Sequence, residues 1–160
     1  MLRRVEAALA TSQLTQDQAL ALLHELFDGF MATLLSADSP ELWTRFVFRE
    51  LMEPSSVFEI LNQQVVQKTI RPCAGLIARV LDKPSDDPEC VVRAFSLFGQ
   101  VLIFRTVREV TLKTLGWEDF SGDRLELIRT VIQLQVKGAL ENSLTSAPEA
   151  TCSEKSHPTA

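Results

Sequence analysis

At 160 residues and a formal net charge of −5, the chain is one domain, or one domain with a tail. Its composition, 46% hydrophobic and 23% charged, is that of an ordinary globular protein. A chain of this size buries roughly 70% of its unfolded surface and needs no metal or disulfide staple. The acidic balance and the lack of any Lys/Arg run exclude a nucleic-acid surface in this segment, which would need a basic patch to displace counterions from phosphates. With six glycines, no tyrosine and abundant Leu, Ala, Glu, Gln and Arg, the expected class is all-α, with five to six helices in a bundle-like domain.

In chain order, residues 1–10 read as a short helix or the end of a longer one. Arg3-Arg4 resemble the charged end of an export signal, but Glu6 and the polar Thr11-Ser12-Gln13 interrupt the apolar stretch such a signal requires. Residues 1–14 are therefore expected to be a connecting helix and linker. Thr15 and Gln18 have the spacing of a capping box, and Leu20, Leu23, Phe27, Phe30, Met31, Leu34 and Leu35 follow at helical spacing to about residue 36. Ser39 and Pro40 suit the N-cap and first position of a helix over 40–53, with Glu41–Arg45 and Arg49–Glu53 spaced for ion pairs. Pro54 ends it.

Ser56-Val57-Phe58-Glu59 predicts a second capping box, opening one long helix kinked at Pro72 and running on to Leu81. "DKPSDDPEC" is the strongest loop signal. Asp87 before Pro88 starts a helix that Gly116 stops. Ser121 is the expected cap of the last helix, which carries Leu125, Ile128, Val131, Ile132, Gln135, Val136, Ala139 and Leu140. From Ser146 no large apolar residue remains, and 146–160 read as a disordered tail after a domain spanning 15–145.

The helix over about 89–115, expected to be continuous and roughly 40 Å long, is apolar around most of its circumference. Phe95, Leu97, Phe98, Val101, Leu102, Ile103, Phe104, Val107 and Val110 do not form one stripe. One side can pack on the earlier helices. A second copy is the economical cover for the other, the last two helices of each subunit forming a four-helix bundle across a two-fold axis. Val101, Leu102, Phe104, Val131, Gln135 and Ala139 are the expected contacts, and Gly99 would admit a close neighbour. The longest near-apolar run, Ala94 to Phe104, is far short of the ~20 residues that span a bilayer, so a cytoplasmic protein without membrane contact is expected.

Catalytic, metal-binding and cofactor-binding constellations are absent from the sequence. Cys73, Cys90 and Cys152 are widely spaced and read as reduced thiols. His24 sits on a helix and His157 in the tail. There is no Gly-rich phosphate loop, H-E-x-x-H or G-x-S-x-G. An apolar ligand pocket is the sharper idea. Phe27, Phe30, Met31, Trp43, Phe46, Phe58 and Phe98 supply candidate walls, and Arg49 and Arg105 candidate partners for an anionic group. An inward-facing arginine would otherwise need a carboxylate such as Glu50 or Glu109.

The segments "RFVFRELMEPSSVFEIL" (45–61) and "FGQVLIFRTVREV" (98–110), with Pro72 between them, resemble the C-terminal regulatory domain of TetR-type bacterial transcriptional repressors, the CecR-like branch above all. The likeness covers about residues 15–145. It implies an all-helical domain that binds a small effector and dimerises through its last two helices. Such repressors begin with a helix-turn-helix head, and no segment of this sequence reads as one. The expectation is that these residues contact DNA only through a head they do not include. A stand-alone helical dimer without a DNA role is the alternative.

Overall fold

The computed structural model describes residues 1–11, 13–35 and 41–145. They are all-α, with no strand among them. Helix α1 (Leu2–Leu9) is followed by α2 (Gln16–Leu35), which opens on the expected reciprocal box. The Gln18 amide donates to Thr15 Oγ1 (3.2 Å) and the Thr15 amide to Gln18 Oε1 (3.1 Å), so two donors at the helix start are satisfied. Helix α3 (Glu41–Met52) comes next; Ser39 and Pro40 lie outside the described residues.

The fourth predicted helix exists, but its start and its irregularity differ from expectation. It begins at Phe58 as a single turn, α4 (Phe58–Leu61), widens into a π-helical turn over Asn62–Val66, and continues as α5 (Gln67–Leu81). Pro72 sits inside α5, and the wide turn lies upstream of it. Ser56 does not cap α4. Val57 is the N-cap and α4 has no side-chain cap; the Ser55 hydroxyl instead shapes the preceding turn, accepting from the Val57 amide (3.2 Å) while donating to Glu50 Oε2 (2.6 Å).

Glu50 is thereby the buried charge of the α3–α4 corner, 1% exposed yet outside the main core, enclosed by its own turn. The Ser55 hydroxyl first, then the Ser55 amide and Arg49 (3.2 Å), hold its carboxyl below the usual carboxylate range against the opposing cost of desolvation. Arg49 thus pairs with Glu50 rather than with Glu53. A folded-state value below the unfolded one stabilises the protein above the ordinary carboxylate range, and that contribution is lost as pH falls through the depressed value. Melting curves from pH 7 downward should show acid destabilisation beginning below about pH 5. Ser55→Ala should lose part of the neutral-pH stability and flatten this acid limb. An identical acid limb in the variant would remove Glu50 from the account.

Asp87 caps α6 (Pro88–Thr106) as predicted, accepting from the Glu89 amide at 2.8 Å with Pro88 in the first turn. The helix is not continuous to residue 115, however. It breaks at Val107 (φ −108°, ψ 33°), and α7 (Arg108–Leu115) leaves at 75° to α6. Thr106 Oγ1 donates back to the Leu102 carbonyl (2.9 Å) and Thr111 Oγ1 to that of Val107 (3.1 Å), contacts that bend helices, in a stretch crowded with β-branched residues. The bend sets the Arg108 guanidinium 5.2 Å from the Phe120 ring centre. Gly116 ends α7 in the left-handed conformation (φ 67°) that glycine adopts without a Cβ penalty. Helix α8 (Gly122–Thr145) follows, preceded by Ser121, whose hydroxyl donates to Asp119 instead of capping (2.7 Å).

Helix α5 is the axis of the domain. Every residue from Pro72 to Ala78 is buried, and α1, α2, α6 and α8 pack around it. Gly75 lets α1 approach closely: a Cβ there would stand 3.0 Å from Leu9 Cδ1. Cys73 and Cys90 are buried free thiols, and burial pushes Cys73 up to about 12, so it is unreactive as a nucleophile.

Candidate functional site

The aromatic residues singled out as pocket walls separate into two groups. Phe27, Met31 and Phe98 are buried in the core between α2 and α6. The Phe98 ring lies 5.0 Å from that of Phe27 and 4.5 Å, edge-on, from that of half-buried Phe30. Phe46, Arg49 and Phe58 belong instead to a two-helix arm in which α3 packs chiefly on α4. Within it Arg49 covers the Phe46 ring at 5.7 Å, and Leu51, Met52, Val57 and Ile60 are exposed. The Trp43 side chain lies outside the described residues. Arg105 is half-buried on α6. The arm and the Phe30–Phe98 pair are therefore separate clusters, with α2 and α6 carrying one and α3 and α4 the other.

Near the bend lies a further aromatic group, whose members the sequence did not bring together although Phe104 was an expected intersubunit contact. Phe104 and Trp117 each meet Phe120 edge-on, at 6.2 and 6.4 Å, locking α7 and the start of α8 onto α6. Phe104 is thus engaged inside the subunit. So is Val101, which is fully buried and cannot serve the intersubunit contact expected of it. Leu102 is half-buried, while Val131, Gln135 and Ala139 are exposed on α8.

The outward face of α6 is a different stripe. Val92, Phe95 and Ile103 on α6 and Leu127, Val131 and Leu134 on α8 are 43–65% exposed. Gly99 and Gly138 stand among them with nothing within 4 Å of where a Cβ would project. The inward stripes of the same helices are Cys90, Ala94, Leu97, Phe98 and Val101, and Ile128, Ile132, Val136 and Leu140. Helices α6 and α8 run antiparallel and in contact, tied at one end by Arg93 Nη1 to the Ala139 carbonyl (3.0 Å) and at the other by Phe104 against Phe120. Helix α2 is joined to α8 by polar contacts: Gln133 donates to Asp28 (2.8 Å) and Arg129 pairs with Asp28 (3.5 Å), Arg129 also pairing with Glu126 within α8 (3.0 Å).

Among the described residues no cluster of His, Cys, Asp or Glu is placed to hold a metal ion, and no single helix is long and apolar enough to cross a bilayer.

Residues 19–142 match the family described as "HTH-type transcriptional dual regulator CecR, C-terminal domain". The chain is also 29% identical over 118 residues to the HTH-type transcriptional dual regulator CecR of Shigella flexneri, an alignment covering 71% of this chain and 53% of that protein. It spans about half the length of that relative. The matched region runs from the start of α2 into the last turns of α8 and so contains both the aromatic core and the doubly apolar helices; the chain belongs to the CecR C-terminal domain family of transcriptional regulators.

Proposed function

We propose that this chain is the effector-binding and dimerising part of a TetR-type regulator, acting in the cytoplasm. In this reading residues 15–145 form the sensing domain, a second copy covers the outward stripes of α6 and α8, and a small apolar or amphipathic effector enters between the α3–α4 arm and the body. DNA contact falls to a helix-turn-helix unit of the kind the relative's name records, not to these acidic helices. The observation that carries the reading is the pair of exposed apolar stripes on adjacent antiparallel helices. Apolar patches of this kind on soluble proteins mark interaction sites, and two such helices from each of two subunits close a four-helix bundle.

The arm supports the effector half of the reading. It holds half-buried aromatics, Phe46 and Phe58, beside exposed aliphatics, so an apolar guest would find surface there without disturbing the core. A response can travel from the body to the N-terminal end through α1, which is tied to α2 by Arg4–Glu25 (2.9 Å) and to α5 by Leu9 over Gly75. Movement of α1 is what would reach a preceding DNA-binding unit.

Two measurements test this. Light scattering at micromolar concentration should return twice the subunit mass. Titration with uncharged hydrophobic compounds should raise the melting temperature saturably, with the rise reduced in Phe46→Ala. A single-subunit mass together with no saturable shift would overturn the reading.

A further inference from the structure

On the side of the domain formed by α1 and α5 lies a groove of about 790 Å³, a size that accommodates a small organic molecule. None of the residues expected to bind an effector lines it. Its floor is apolar and low: Leu9 of α1 and Pro72, Gly75 and Ala78 of α5. Leu9 packs directly over Gly75, where an added Cβ would stand 3.0 Å from Leu9 Cδ1, so these two residues close the floor between the helices. Along the α5 rim, Lys68, Arg71 and Arg79 follow one another on the same helical face. Arg71 and Arg79 stand one turn before and one turn after Gly75.

These cations have no carboxylate partner among the described residues. Lys68 bonds only the amide oxygen of Gln64 (2.6 Å) and Arg71 only that of Gln67 (2.5 Å), and Arg79 has no side-chain bond. Lys83, at the far end, is by contrast already paired with Glu89 and Asp87. The groove's own carboxylates, Glu6 and Asp82, are exposed and bonded to none of the three. In a chain of net charge −5, three cations with no carboxylate bonded to them line one concave, apolar-floored surface.

We propose that this groove binds an amphipathic organic anion, its charged group held by the rim cations Lys68, Arg71 and Arg79 and its apolar body lying on Leu9, Pro72 and Ala78. A guanidinium group can fork onto a carboxylate, sulfonate or phosphate, and the exposed Arg71 and Arg79 flank the apolar floor along α5. The apolar floor disfavours a fully hydrated ion such as free phosphate, and Glu6 and Asp82 would repel a polyanion threading the groove. Because α1 forms one wall, the bound anion clamps α1 to α5. The site shares no residue with the arm or with the outward stripes of α6 and α8, so it stands whether or not those surfaces act as proposed above.

The test is calorimetric titration of the full chain with decanoate below its micellar concentration, set against decyltrimethylammonium, which has the same tail and the opposite charge. Decanoate should bind saturably at one molecule per chain and the cation should not. Arg71→Gln/Arg79→Gln should weaken decanoate at least about tenfold, as loss of charge-assisted hydrogen bonds requires. Arg71→Lys/Arg79→Lys should recover part of the loss, and Lys113→Gln, an exposed cation on the remote α7, should change nothing. Lys68→Gln, a single exposed change, should weaken binding in the same direction and decides the matter if the double variant alters the far-ultraviolet circular dichroism. Equal affinity for the cation, decanoate binding indifferent to all three rim residues, or binding confined to an oligonucleotide or polyglutamate would each overturn the proposal.

Discussion

If the outward stripes close the proposed dimer, Phe95→Arg should return a single subunit where the unaltered chain returns twice that mass, with its helical content unchanged. Phe95 is 53% exposed and belongs to no part of the core, so the substitution leaves the subunit's own packing intact. In a bundle closed by the outward stripes, the same position would be desolvated. An unpaired guanidinium placed there loses its hydration without a counter-charge and meets its symmetry mate across the two-fold axis. Removal of a central aromatic anchor alone commonly costs 2 kcal/mol or more, so the dissociation constant should rise by at least about thirtyfold. Gly99→Ala supplies the complementary test. Nothing lies within 4 Å of its missing Cβ in the isolated subunit, so alanine should stabilise a lone helix by about 1 kcal/mol. In a close-packed dimer the added methyl would instead meet the partner helix and weaken association. A gain in stability in Gly99→Ala, with no change of mass in either variant, would leave the outward stripes without a partner.

Much of the fold was legible because its punctuation is local. The Thr15–Gln18 box, Asp87-Pro88 and Gly116 act through the backbone within a few residues, and each does in the structure what its chemistry dictates. What was not legible depends on tertiary company. On α6, Val92 and Val101 are the same residue type, yet one is 63% exposed and the other fully buried. Periodicity states that the helix has two apolar sides but not which side faces α5, so an interface set containing Val101 and Phe104 mixed the two. The break at Val107 was hidden for a related reason. Nothing in Thr106-Val107-Arg108 forbids a helix, and the turn is favoured by what Arg108 and Phe104 find on Phe120, residues away in sequence. The α1–α5 groove was invisible because Lys68, Arg71 and Arg79 look in sequence like an ordinary solvated face; only the approach of Leu9 over Gly75 makes that face concave.

The aromatic residues pose the same problem in sharper form, since a phenylalanine in a packed core and one in a ligand cavity read alike. Phe98→Ala should distinguish them. The ring is 3% exposed and wedged between Phe27 and Phe30, joining α6 to α2. If it is core, truncation removes its transfer free energy and leaves a cavity, costing about 3–5 kcal/mol and lowering the melting temperature by roughly 10 °C. The hole would be lined by apolar groups and would stay dry, so benzene or a similar ring should restore part of the loss. Phe46→Ala in the arm should cost far less, because its neighbours are half-exposed and can close over the gap. If Phe98 instead bordered an existing ligand cavity, its truncation would enlarge space already present. The loss would then fall toward that of Phe46→Ala, and uncharged hydrophobic compounds would bind more weakly to the variant. The ratio of the two losses thus assigns the Phe27–Phe30–Phe98 cluster to the scaffold or to the sensor, and a small loss at Phe98 with weakened ligand binding would move the effector from the arm into the body of the domain.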